Sequence, residues 1–255
     1  MNQLEFRSSY DGTMQKCLFH AASKKGCPLL VGLHSWSFDM ERLKGPLLPH
    51  VIEQDWNLLL PDFRGPNKAT NPQHKAACGS EAAVQDIIDA TEYIMANYCV
   101  DKDKIFLFGG SGGGHAALMA QAKAPVLWSK TISYVPVLDL KMWLKENKAK
   151  GSGYANDIVA CVGSLEENEK DYEQRSPMYH IEEISKANHL KIYVGKFDHV
   201  INVEQGITFF NKIMQLNPSS QVFFDFFDGG HIINYKQVIS YLKGEEAAGM
   251  QAMSR

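Results

Sequence analysis

A glycine-rich stretch, Gly109-Gly110-Ser111-Gly112-Gly113-Gly114, constrains the fold of this chain more than any other segment. The apolar residues 105–108 before it predict a buried strand, and residues 116–121 after it predict a helix. A serine on so sharp a turn has a strained backbone, and its neighbours must lack side chains for the surrounding backbones to approach. Strand, glycine turn and helix form the context in which a G-x-S-x-G motif indicates a nucleophile elbow.

The same pattern is also typical of a glycine turn that binds phosphate at a helix N-terminus. A phosphate-binding loop of that kind ends in lysine followed by serine or threonine, and this segment lacks that ending. The difference favours the elbow, with Ser111 as the candidate nucleophile. The N-terminus of the following helix is expected to favour negative charge that develops beside Ser111.

The composition is that of an ordinary globular protein. Of the 255 residues, 45% are hydrophobic and 22% are charged, which suits one large α/β domain with a sizeable core. The formal net charge is −3 and no long basic run is present, which argues against nucleic acid or an anionic membrane as a partner. No apolar stretch has membrane-spanning length, and residues 1–7 lack the plan of a signal peptide. We therefore expect a cytoplasmic protein, unless a signal has been removed.

The cysteines do not form a metal or disulfide pattern. There are five of them, Cys17, Cys27, Cys78, Cys99 and Cys161, at wide spacing and without a C-x-x-C pair. This pattern predicts mostly reduced, partly buried thiols, and neither a metal site nor another cofactor is indicated. A single bridge between distant loops, for instance Cys78 to Cys161, is the alternative.

Strands and helices alternate along the chain after an opening hairpin. Residues 4–9 and 16–20 flank Asp11-Gly12, a strong hairpin signal. Further strands are predicted at 29–33, 58–60, 105–108, 131–135, 190–195 and 222–227, and helices from Ser80, at 116–121, after Asn202 and at 234–242. This alternation predicts an α/β fold, with a mostly parallel central sheet and helices on both faces.

Residues 140–189 differ in pattern from the rest of the chain. They are polar and contain only short segments with an apolar pattern, and they include Gly151-Ser152-Gly153 and an acidic stretch at 166–169. We interpret them as a lid-like excursion of short helices over the C-terminal edge of the sheet. The prediction is one domain over residues 1–243, followed by a flexible tail over 244–255, where no clear periodicity is present.

Two further residues are candidate partners of the serine, because a serine hydroxyl needs a base to take its proton and an acid to orient that base. His231 follows the last predicted strand in a glycine turn, where the chain order serine, acid, histidine requires the base. Asp198 follows the preceding strand by a short glycine turn and is the candidate acid. Asp139 is the first alternative, ahead of Asp225 and Asp228.

Acyl transfer also needs N–H donors for the oxyanion, and the loss of one donor costs about 2.7–4 kcal/mol. The backbone N–H of Gly112, directly after the candidate nucleophile, is one predicted donor. The loop after the first buried strand is expected to supply the other from the amide of Trp36, with Ser35 as the alternative. Trp36 is also a candidate wall of the acyl pocket. Trp143 and Tyr154 are candidate aromatic platforms for a sugar or an aromatic acyl group, with simple lid packing as the other interpretation.

Several motifs together resemble the α/β-hydrolase fold and, within it, the catalytic domain of prolyl-oligopeptidase-like proteins. The resemblance covers roughly residues 27–243 and rests on Leu33-His34-Ser35-Trp36, Pro61-Asp62-Phe63-Arg64-Gly65, Gly110-Ser111-Gly112-Gly113, Arg175-Ser176-Pro177, Gly195-x-x-Asp198-His199-x-Ile201 and Gly229-Gly230-His231. Two positions depart from the family pattern: Ser35 stands where a glycine is usual, and Gly110 where a bulky side chain is frequent. The large N-terminal propeller of those peptidases also has no room in this sequence.

The resemblance implies a serine carboxylic-ester hydrolase that forms an acyl-enzyme on a small-molecule or oligosaccharide ester. Stand-alone domains of this kind are similar to carboxylesterases, including those that remove acetyl or feruloyl groups from polysaccharides. A serine aminopeptidase or oligopeptidase is the first alternative, and a non-catalytic binding module with the same fold is the second. An oligomer is compatible with the sequence.

Overall fold

The computed structural model of the chain describes residues 1–245, and in them eight strands form one sheet in the order β1-β2-β4-β3-β5-β6-β7-β8. The strands are β1 Asn2–Arg7, β2 Met14–His20, β3 Cys27–Leu33, β4 Asn57–Pro61, β5 Val100–Gly110, β6 Lys130–Tyr134, β7 Leu190–Gly195 and β8 Val222–Phe227. The hairpin β1–β2 is antiparallel, as predicted, and Gly12 in its turn has φ +74°. β2 is antiparallel to β4, and all the pairs from β3 to β8 are parallel. The mostly parallel sheet is therefore confirmed.

The connections between the strands are largely helical. The helices are α1 Lys44–Glu53, α2 Glu81–Asn97, α3 Gly112–Lys123, α4 Leu140–Lys150, α5 Gly153–Val162, α6 Glu169–Gln174, α7 Ile181–Ile184, α8 Val203–Leu216 and α9 Tyr235–Lys243. Ser80 begins α2 by accepting a hydrogen bond from the Ala83 N–H, and Asn202 begins α8 by accepting one from the Glu204 N–H. Both predicted helix starts are confirmed.

Helices cover both faces of the sheet because the central strands are apolar on both sides. In β3, Leu29, Val31 and Leu33 pack with residues of α2 and α3, whereas Leu30 between them packs with α1 and α9 on the other face. This division follows from the two-residue period of a strand, which turns successive side chains to opposite faces. An uninterrupted apolar run is what a strand buried on both faces requires.

The excursion between β6 and β7 consists of α4 to α7, as expected for residues 140–189. Its helices bury a cluster of their own with the loops that follow β3 and β7, and Trp36, Trp143 and Ile201 belong to that cluster. The fold thus brings the excursion over the carboxyl edge of the sheet. The single domain over residues 1–243 stays a prediction. Helix α9 ends at Lys243 and is followed by Gly244, whose φ of +84° is typical of a residue that terminates a helix. The predicted tail beyond residue 245 lies outside the described residues.

All five cysteines are free thiols in this structure. Cys78 and Cys161, the alternative disulfide partners, are both buried in the cluster beneath the excursion. Burial raises the pKa of the Cys78 thiol well above its usual value, and the neighbouring Cys161 raises it further. The Cys78 thiol is therefore a neutral packing group here.

Candidate active site

Ser111 lies at the turn between β5 and α3 with a positive φ. Its dihedral angles are φ +58° and ψ −122°, a combination that a residue with a side chain rarely adopts. The turn is held from both sides: the Ser111 N–H donates to the Tyr134 carbonyl at 2.8 Å, and the Ser111 carbonyl accepts from the His115 N–H at 3.0 Å. Backbone strain that is maintained in this way is concentrated at functional sites.

Two glycines of the elbow are required by close backbone approach. A side chain on Gly109 would overlap the carbonyl of Gly113 one turn ahead, and a side chain on Gly113 would overlap the carbonyl of Leu33 at the end of β3. Close backbone approach is thus the reason for the glycine run, as its sequence indicated. The consequence is that α3 starts directly against the carboxyl end of β3.

His231 joins Ser111 to Asp198 through its two ring nitrogens. Its Nε2 lies 2.9 Å from the Ser111 Oγ, and its Nδ1 lies 2.7 Å from Oδ2 of Asp198. The carboxylate can only accept, so it favours the tautomer with the proton on Nδ1 and leaves Nε2 free to accept from the serine hydroxyl. The Asp198 side chain is 2% exposed and that of His231 is 22% exposed, so the carboxylate is the more deeply buried of the two hydrogen-bonded side chains.

The alternative acids lie elsewhere and have other partners. The Asp139 carboxylate accepts hydrogen bonds from two amides in the first turn of α4, which makes it the N-cap of that helix. Asp225 lies within β8 and is 3.9 Å from the ammonium group of Lys191. Asp228 pairs with Lys196 at 2.8 Å. Of the four aspartates that the sequence offered, Asp198 is the one that the fold brings to the His231 ring.

The backbone amides predicted as oxyanion donors lie next to each other. Gly112 is the first residue of α3, where an N–H has no acceptor within the helix. A Cβ on Gly112 would lie 2.5 Å from the backbone nitrogen of Trp36, so the two backbones are in contact beside Ser111. Ser35, the alternative donor, uses its hydroxyl to donate to the Gly110 carbonyl at 3.3 Å. The loop after β3 is thus fixed against the elbow.

Trp143, one of the two predicted aromatic platforms, and Trp36, the predicted wall of the acyl pocket, are both buried, which corrects these two expectations. Trp36 and Trp143 are 2% and 1% exposed, and their rings meet edge to face with centroids 4.6 Å apart. Neither ring offers an open face to a substrate, because each is covered by the other and by the excursion. Tyr154 is half-buried against Trp143, with centroids 5.0 Å apart. The alternative interpretation, packing beneath the lid-like excursion, therefore describes Trp143, while the role of Tyr154 as a platform stays a prediction.

Two apolar side chains at the rim of the site were not singled out in the sequence. Phe197 and Ile232 are both exposed. Phe197 directly precedes Asp198 in the chain, and Ile232 directly follows His231. The Phe197 N–H donates to the Gly229 carbonyl at 2.9 Å, which joins the two loops. Their position next to the candidate acid and base in the sequence was the signal from which these two rim residues could have been predicted.

Over residues 1–245, no group of three or more histidine, cysteine, aspartate or glutamate side chains is arranged to hold a metal ion. In the same part of the chain, no helix is both long and apolar enough to cross a bilayer.

The strand order, the elbow and the meeting of Ser111, His231 and Asp198 at the carboxyl edge define the α/β-hydrolase class of fold. A sequence profile of the prolyl oligopeptidase family matches residues 51–248, and the chain belongs to that family. A curated relative, dipeptidyl peptidase family member 6 of Caenorhabditis elegans, is 25% identical over 146 residues, which cover 55% of this chain and 20% of that protein. The chain therefore spans about a fifth of the length of that relative.

Solved structures of esterases and peptidases share the fold. The fluorophosphonate-binding serine hydrolase FphF of Staphylococcus aureus matches with a TM-score of 0.70 at 16% identity, over 94% of this chain and 97% of that one. The S-formylglutathione hydrolase FrmB of the same organism matches with a TM-score of 0.66 at 16% identity, over 94% and 97%. Dipeptidyl peptidase 4 of Porphyromonas gingivalis matches with a TM-score of 0.75 at 15% identity, over 95% of this chain and 35% of that one. At these identities the likeness concerns the fold alone.

Proposed function

We propose that this chain is a serine hydrolase that cleaves carboxylic esters through an acyl-enzyme on Ser111. The observation that carries the proposal is the pair of hydrogen bonds made by His231: Nδ1 lies 2.7 Å from Oδ2 of Asp198, and Nε2 lies 2.9 Å from Oγ of Ser111. Each of the three side chains has the group that its role requires. Asp198 supplies a buried carboxylate, His231 an imidazole whose Nε2 can accept a proton, and Ser111 a hydroxyl on a strained turn.

In the first half of the reaction, the Ser111 Oγ attacks the ester carbonyl carbon while Nε2 of His231 takes the hydroxyl proton. Asp198 stabilises the imidazolium that forms, without itself becoming protonated. In the proposed mechanism the new oxyanion receives hydrogen bonds from the backbone N–H groups of Gly112 and Trp36, whose backbones are in contact beside Ser111. When the intermediate collapses, His231 returns its proton to the leaving alcohol and the acyl group stays on Ser111.

In the second half, a water molecule takes the place of the alcohol. His231 removes a proton from the water, and the resulting hydroxide attacks the acyl carbonyl carbon. The same two amides stabilise the second oxyanion, and His231 protonates the Ser111 Oγ as the acid leaves. The residues end in their starting protonation states, so the cycle needs only water and the ester.

A peptidase is the second candidate, and the match to dipeptidyl peptidase family member 6 favours it. The same three side chains can cleave an amide if His231 protonates a leaving amine, which is a poorer leaving group than an alcohol. An aminopeptidase also needs carboxylates that hold the substrate's amine near the cleft, and the sequence does not place such a pair convincingly. Acetyl and feruloyl esters of saccharides stay as test substrates only, because the named relatives do not include a carbohydrate esterase.

The two activities are separated by comparing p-nitrophenyl acetate with aminoacyl p-nitroanilides and with acetylated and feruloylated saccharides. We expect turnover of the simple ester by the natural chain and none by Ser111→Ala. Faster cleavage of an anilide than of the ester would transfer the assignment to a peptidase. If no substrate in the panel is turned over and a fluorophosphonate does not react, the chain is a binding module with this fold.

A further inference from the structure

We propose that Trp143 is a positioning residue that holds the loop of the acid Asp198 in its working geometry. Trp143 is the fourth residue of α4, in the excursion, and its side chain lies in the buried cluster beneath it. Its indole Nε1–H donates to the Val200 carbonyl at 3.0 Å. This inference rests on the proposed function, because it assigns a role in orienting the acid of that reaction.

The hydrogen bond from Trp143 acts on Asp198 through one peptide group. The Val200 carbonyl and the Ile201 N–H belong to the same planar peptide unit. Ile201 N–H donates to Oδ1 of Asp198 at 2.9 Å, so the plane that accepts from the indole also donates to the carboxylate. The unit cannot rotate away from Asp198 without breaking its bond to Trp143. Hydrogen bonds in such a chain also polarise one another.

The preceding peptide repeats this arrangement. Lys150, at the end of α4, donates from Nζ to the His199 carbonyl at 3.0 Å. The N–H of that same peptide unit, from Val200, donates to Oδ1 of Asp198 at 2.8 Å. Helix α4 therefore holds both peptide groups that bind the far side of the carboxylate. Because Lys150 is exposed and Trp143 is buried, the bond from Trp143 is the stronger constraint.

The second carboxylate oxygen of Asp198, Oδ2, faces His231, so the positions of the two peptide groups also determine the contact between Asp198 and His231. Oδ1 is held by the two peptide N–H groups, and Oδ2 is thereby fixed 2.7 Å from Nδ1 of His231. Trp143 also packs edge to face on Trp36, whose amide is one of the two proposed oxyanion donors. One buried side chain of the excursion thus supports both the acid loop and the oxyanion loop.

Trp143→Phe tests the role, because it keeps an aromatic ring in the cluster and removes the N–H. Trp128→Phe is the matched control: Trp128 is also buried and donates its indole N–H to a backbone carbonyl, that of Ala120 at 3.2 Å. The kcat is measured per active site, with the sites counted by fluorophosphonate titration. A variant that is merely less stable then loses sites and keeps its kcat.

We expect Trp143→Phe to lower kcat per site by roughly tenfold with KM unchanged, since a buried carbonyl loses its donor and the acid loop loosens. Trp128→Phe should keep the natural kcat. An unchanged kcat in Trp143→Phe overturns the inference, and a raised KM with unchanged kcat assigns the residue to the substrate instead.

Lys150→Met provides the second variant if Trp143→Phe does not fold. Its bond is exposed, so we expect kcat to fall only about two- to threefold, again with KM unchanged. No change in kcat would then overturn the inference. Failure of the proposed function gives a different result in the natural chain itself: turnover that Ser111→Ala retains, faster cleavage of an anilide than of the ester, or no turnover of any substrate.

Discussion

Asp198 and His231 meet because their loops leave the sheet from paired residues, Gly195 at the end of β7 and Phe227 at the end of β8. Parallel pairing brings both strand ends to the same edge, three to four residues before the acid and the base. The Phe197 N–H then binds the Gly229 carbonyl at 2.9 Å, which holds the two loops together. The contact between the candidate acid and the candidate base therefore follows from the register of the sheet.

The first prediction separates the acid from its strongest sequence alternative. Asp198→Asn should lower kcat by roughly 10⁴-fold, because the amide stabilises the wrong imidazole tautomer. Asp139→Ala should instead lower the free energy of unfolding by about 1 kcal/mol through loss of the α4 cap. Steady-state kinetics and urea unfolding of both variants check the assignment. A severe loss of kcat in Asp139→Asn with a mild one in Asp198→Asn would exchange the two roles.

The second prediction concerns the strain at the elbow. Ser111 has φ +58° and ψ −122°, which a glycine adopts more easily than an alanine. Ser111→Gly should therefore be more stable to unfolding than Ser111→Ala by about 1 kcal/mol, with both variants inactive. Urea unfolding of the two inactive variants measures the difference directly. Equal stabilities would show that the turn carries no strain for a side chain.

The third prediction concerns the buried histidine on α3. His115 lies beneath the excursion, and burial lowers its pKa to about 4, although its ring bonds the Arg175 carbonyl at 2.6 Å. The unfolded chain takes up this proton below about pH 6.5 and the folded chain does not, so stability falls as the pH drops from there towards 4. His115→Gln removes the titration and keeps an amide N–H for the carbonyl.

The natural chain should therefore lose about 2 kcal/mol of unfolding free energy relative to His115→Gln between about pH 7.5 and pH 5. Urea unfolding at several pH values gives the comparison. Other groups, among them the buried His34, whose pKa is also lowered by burial, titrate in both chains and cancel in the difference. Parallel pH curves for the two chains would contradict the prediction.

The sequence predicted the strands at the active edge with few errors, because they are apolar runs that end at turn residues. The predicted bounds 190–195 and 222–227 agree with β7 and β8. Helix α1 was not predicted, because Gly45, Pro46 and Pro49 have low helix propensity. The segment is nevertheless helical and buries Leu47 and Val51 at helical spacing. β5 is longer than predicted because it begins in a charged, exposed section before the apolar run at 105–108.

The site was predictable where strand order decides it, and less so where packing does. Ser111, Asp198 and His231 each follow a strand that ends at the same edge, so their order in the chain was informative. The burial of Trp143 depends instead on how α4 packs against loops more than fifty residues away, including the Val200 carbonyl. Spacing along the chain contains no signal for such a contact, and an aromatic residue in a lid-like segment was equally compatible with a substrate platform.

The most direct test of the central claim is the site at which a fluorophosphonate attaches to the folded chain. The proposed mechanism predicts one phosphonyl adduct per chain, on the peptide that contains Ser111, with loss of ester turnover in proportion to the adduct. Asp198→Asn should react far more slowly, and Ser111→Ala should not react at all. An adduct on another residue, or esterase activity that persists when Ser111 is fully modified, would contradict the account.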